Sequence, residues 1–109
     1  MKLMTKELED KFSKFPLYSQ EDKGMDSEVV VKYFNPCGLG TWLITEGEKE
    51  EDGDWIFFGY CNLFEWEWGY VLLSQLQDVD LPYGLTIERE IYTNKKYVKD
   101  FIKEELNNG

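Results

Sequence analysis

Any chemistry in this chain has to be carboxylate chemistry, because the sequence holds 22 Asp and Glu and no histidine. Without an imidazole there is no Ser-His-Asp or Cys-His nucleophile, no His-ligated zinc and no His general base. The two cysteines, Cys37 and Cys61, are too few for a Cys-only zinc site or a disulfide framework. They read as reduced, partly buried thiols. The glycines never fall into GxGxxG or GxxxxGK, so no phosphate loop is indicated. Paired carboxylates can cleave glycosides, but nothing marks one pair here out from the others.

Two stretches concentrate the acidic groups. Glu46, Glu48, Glu50, Glu51, Asp52 and Asp54 crowd one short segment. It lacks the DxDxDG spacing, the flanking helices and the closing glutamate of an EF-hand. That leaves a solvated hairpin loop or an acidic binding loop, with weak divalent binding as a third option. The second stretch runs from Phe64 to Tyr70. On a strand, Phe64, Trp66, Trp68 and Tyr70 share one face and Glu65 and Glu67 the other. The expectation is aromatics in the core and glutamates in solvent. The alternative is an exposed platform for stacking sugar or peptide.

The formal charge of -10 is not spread evenly. Residues 33–94 carry twelve acidic residues against Lys49 and Arg89, and the two ends of the chain balance. A basic patch for nucleic acid is excluded, and so is an electrostatic membrane anchor. The first residues have charges every few positions and no apolar run, so they do not read as a signal peptide. No stretch approaches the length needed to span a bilayer. A cytoplasmic protein is expected, with no cofactor and no metal.

The elements that must position these groups follow from periodicity. Thr5 is placed to cap a helix bearing Met4, Leu8, Phe12 and Phe15, which Pro16 ends. Strands are expected over 28–34, 41–46, 55–61, 64–73 and 86–92, with a loop over 47–54. A short helical turn is expected over 75–79. Val98, Phe101, Ile102, Glu105 and Leu106 mark a C-terminal helix, with Gly109 beyond its end. The 109 residues thus predict a single acidic α+β domain. Its antiparallel sheet of four or five strands is flanked by N-terminal and C-terminal helices that cover one sheet face.

Five stretches, in order, carry a resemblance: Leu17–Glu21, Thr41–Glu46, Phe57–Tyr60, Trp68–Ser74 and Gly84–Glu90. Together they resemble domain-of-unknown-function family 2958, small proteins common on plasmids and other mobile elements of bacteria. More particularly, the chain is similar to plasmid-borne anti-CRISPR proteins that inhibit the type II CRISPR nuclease Cas9. The family supplies no catalytic residues to carry over. The resemblance implies a non-enzymatic inhibitor that blocks guide RNA loading or DNA engagement; a monomer is expected. It gives the acidity a purpose, since Cas9 holds nucleic acid in strongly basic channels. Glu46, Glu48, Glu50, Glu51, Asp52, Asp54, Glu65 and Glu67 are the expected partner-binding residues. Leu39 and any exposed member of Trp55, Trp66 and Trp68 are the expected apolar anchors. An alternative is an accessory regulator of a mobile element that binds another basic host protein; a third is a small hydrolase or metal-dependent enzyme.

Overall fold

The computed structural model describes residues 1–91 and 93–108, the last five of these by their backbone. Thr5 caps α1 (Lys6–Phe12) as its position predicts, its Oγ1 accepting the Leu8 N–H at 3.2 Å. The chain then forms β1 (Val31–Phe34), β2 (Thr41–Lys49), β3 (Trp55–Asn62) and β4 (Trp66–Leu72). After these come α2 (Leu73–Gln77), a two-residue β5 (Glu88–Arg89) and α3 (Val98–Asn108). The strands make one antiparallel sheet in the order β4-β3-β2-β1-β5, and the fold is α+β. The strand expected over 86–92 shrinks to β5. Tyr92, Gly109 and the side chains of Glu105 and Leu106 lie outside the described residues.

Helices cover both faces of the sheet, where one covered face was expected. On the first face, Leu8 and Phe12 of α1 and Leu73 and Leu76 of α2 pack against Trp42, Ile44, Trp55 and Phe57. This is the main core, and Phe57 and Phe12 are almost fully buried in it. On the second face, Val98 and Phe101 of α3 pack on Leu43, with Tyr60 and Trp66 at the margin. A sheet presents alternate residues to opposite sides, so both faces carry apolar side chains that need cover. Among the described residues no helix is long and apolar enough to cross a membrane.

β2 is longer than the sequence predicts and runs on through Lys49, which turns the expected acidic loop into a tight hairpin turn. Glu50 N–H bonds to the Asp54 carbonyl at 2.7 Å, Gly53 N–H returns to the Glu50 carbonyl at 3.0 Å, and Gly53 supplies a φ of +90°. Within β2 the register to β3 slips between Ile44 and Glu46, a β-bulge at Thr45. β1 pairs only with Thr41–Ile44, so the second half of β2 has a free edge. Residues 15–20 cover it, starting with Gly47 N–H to the Phe15 carbonyl at 3.0 Å.

Candidate functional site

The bulge turns Glu46 inward, and a bulge commonly re-aims a side chain in this way. Glu46 is 2% exposed, and its two carboxylate oxygens accept the N–H groups of Tyr18 at 2.7 Å and Gln20 at 2.9 Å. Gln20 completes the clasp, donating to the Glu28 and Thr45 carbonyls and accepting the Glu28 N–H, all at 2.8 Å. Glu46 therefore holds residues 17–20 onto the edge of β2 and does not face solvent. Asp54 is likewise engaged. Its carboxylate accepts the Trp55 N–H, the Ser74 N–H and the Ser74 hydroxyl, which anchors the start of α2. These bonds, Ser74 foremost, hold its carboxyl below the usual carboxylate range.

The remaining expected contact residues are exposed but fall in two places. Glu50, Glu51 and Asp52 crown the β2–β3 turn, with Glu48 just inside it accepting the Leu17 N–H at 3.2 Å. Glu65 and Glu67 lie at the other end of the sheet, about 23 Å away along β3. Among the described residues none of Glu50, Glu51, Asp52, Glu65 and Glu67 joins a salt bridge. Nor do three or more Asp, Glu or Cys side chains among the described residues converge to hold a metal ion.

The aromatic row alternates as expected but lies on the other face from the main core. Phe58 pairs with Tyr70, Tyr60 with Trp68 and Asn62 with Trp66 across β3 and β4, all on the second sheet face. The rings form one continuous cluster: Phe58 on Trp68 at 5.6 Å, Phe58 on Tyr70 at 4.9 Å, Tyr60 on Trp66 at 5.1 Å. α3 covers the Tyr60 and Trp66 end only. Trp68 stays 37% exposed and Tyr70 54%, and Phe64 in the turn is 95% exposed. The expectation of a fully buried row fails because Trp55, Phe57 and Trp42 already fill the space under α1 and α2.

Of the anchor candidates, Trp55 is buried, Trp66 is half-covered by α3, and Trp68 and Leu39 are open. Leu39 shares its end of the sheet with the exposed Leu63 and Phe64, since the turns after β1 and β3 point the same way. Three residues of the face were not among the contact residues expected from the sequence: Tyr18, Phe58 and Glu21. Tyr18 holds a φ of +73°, uncommon for a non-glycine residue, and its hydroxyl is one of the groups that push the Tyr70 phenol up. The repeat of aromatics at 58 and 60 was the one clue available, since it sets Phe58 on the side of Tyr60. Cys61, on the opposite face beside Glu67, has its thiol pushed up to about 12 by burial and that carboxylate. It stays protonated at neutral pH and is no nucleophile.

The family described as "Protein of unknown function (DUF2958)" matches residues 3–107, nearly the whole chain. No curated protein and no solved structure matches it.

Proposed function

We propose that this chain, which belongs to the DUF2958 family, is a non-enzymatic protein that binds a basic protein partner through its open aromatic sheet face and the carboxylates around it. One observation carries the reading. Trp68, Tyr70 and Tyr18 stand open on a face whose neighbouring carboxylates, Glu21, Glu48, Glu50 and Glu51, are exposed. Large exposed aromatics on a small domain need a reason, and among the described residues nothing covers them. Following the resemblance carried by Thr41–Glu46, Trp68–Ser74 and their companions, the proposed partner is Cas9 in the bacterial host cytoplasm. The proposed effect is to block guide RNA loading or DNA engagement.

The proposal divides the labour between charge and rings. Charge draws the protein into basic channels and speeds encounter; desolvated aromatics supply the affinity. Glu48, Glu50, Glu51, Asp52, Glu65 and Glu67 act as the steering charges. Glu46 and Asp54 drop out of the contact set, because their oxygens are committed to the fold.

Target-DNA cleavage by purified Cas9 tests the proposal, with this protein added before or after guide RNA. Inhibition on early addition alone places the block at guide loading. Inhibition in either order places it at DNA engagement. Full cleavage in both orders, across several Cas9 orthologues, refutes the nuclease as partner.

A further inference from the structure

A cavity of about 150 Å³ opens on the second sheet face between β3–β4 and the segment from Gln20 to Ser27. Phe58 and Trp68, stacked within 10° of parallel, form one wall. Gln20, Ser27 and Thr45 form the floor, and Glu21 and Gly24 the rim. The donors of the floor are already used, the Ser27 hydroxyl among them at 3.5 Å from the Gln20 carbonyl. Gln20 spends its amide on Glu28 and Thr45, and Thr45 Oγ1 bonds to the Phe58 carbonyl at 3.2 Å. A space of roughly 150 Å³ is that of a benzene-sized group, so it takes one side chain.

The surroundings select the charge of that side chain. Glu21 is exposed at the rim, and the Glu46 carboxylate lies behind it, held by N–H groups and, among the described residues, by no cation. Asp22 and Lys23 next in sequence offset each other. Tyr70 beside the cavity registers the field. Its phenol is pushed up by desolvation first, then by the Tyr18 hydroxyl and by Glu46 and Glu21. A cation gains on both counts, from the carboxylates and from the faces of Trp and Phe rings. Between the two basic side chains, arginine fits better: its planar, weakly hydrated guanidinium stacks on aromatic rings, whereas an ammonium keeps its water.

We infer that this cavity is a socket for one arginine side chain of the basic partner, its guanidinium stacked on Trp68 and Phe58 and paired with the Glu21 carboxylate. The inference rests on the reading of this face as the partner-binding surface, and it adds the chemical class of the group that enters.

The test is a titration of the intact protein, followed by NMR, with the peptide acetyl-Gly-Arg-Gly-amide. The control peptide carries citrulline, which keeps the shape of arginine and removes its charge. Saturable shifts at the Trp68 indole and the Thr45 and Ser27 amides with arginine alone support the socket. Equal shifts with citrulline, or shifts confined to Leu39 and Phe64, overturn it. Trp68→Leu, which keeps the apolar bulk, should weaken the arginine peptide about tenfold. Glu21→Gln should weaken it roughly twofold to fivefold. Binding of the same two variants to Cas9 separates this inference from the reading beneath it. If wild type and both variants bind Cas9 equally well, the socket fails and the partner reading stands. If the arginine peptide saturates the cavity but Cas9 is not bound, the socket stands and the nuclease reading fails.

Discussion

Two carboxylates of the acidic segment, Glu46 and Asp54, serve the fold through the N–H and O–H groups they accept. Glu46 is clasped by two backbone N–H groups in a buried site, so Glu46→Gln forces an amide N–H against one of them. Leaving a buried donor unmatched costs about 1–3 kcal/mol, to be read from the urea midpoint. Asp54, held low by Ser74, adds stability that is present above the ordinary carboxylate value of 3.8 and lost as pH falls through its depressed value. Asp54→Asn should therefore lower the melting temperature at neutral pH, and the gap to wild type should close on acidification below that range. The tryptophans, by contrast, divide by their cover. Trp55→Ala empties the main core and should cost about 3–5 kcal/mol of stability. Trp68→Ala removes a half-open ring and should act mainly on binding, with partner affinity falling by about 2 kcal/mol or more.

At the scale of elements, the device that matters is the bulge at Thr45 and the bare edge of β2 beyond β1. Together they admit residues 15–20 as a strap, which brings Tyr18 and Glu21 beside the β4 aromatics. The strap depends on β2 and β3 lying close. Gly59 sits where a Cβ would run into the Leu43 carbonyl group of β2. Gly59→Ala should cost about 3 kcal/mol by overpacking, seen as a lower urea midpoint. It should weaken binding as well, because the strap and the aromatic face share that pairing. Much of this frame was legible. The Thr5 cap, the hairpin partners and the alternation from Trp66 to Tyr70 all follow from local spacing. The bulge was not, since it arises from pairing across the sheet and leaves no local mark at Thr45. Alternation shows which residues share a face but not which face is covered. The cover depends on where α3 lands, so the openness of Trp68 and the inward turn of Glu46 had to come from the structure.

Over the whole molecule, the -10 charge sits on a small body whose second face is only partly roofed. Steering by such a field should make the association rate with a basic partner fall steeply as salt rises, while the dissociation rate changes little. Surface plasmon resonance at two ionic strengths checks this. Reversing Glu48, Glu50, Glu51 and Glu65 to lysine should slow association by about tenfold or more, with the circular dichroism spectrum unchanged. Including Glu46 in such a set would unfold the strap and confuse stability with steering. The central claim is that the open aromatic face makes the contact. It is tested most directly by the affinity of guide-free Cas9 for the double variant Trp68→Ala, Tyr70→Ala, measured with the variant's folded state confirmed by NMR. A loss of roughly a hundredfold against wild type is the predicted result. A folded double variant that binds Cas9 as tightly as wild type would contradict it.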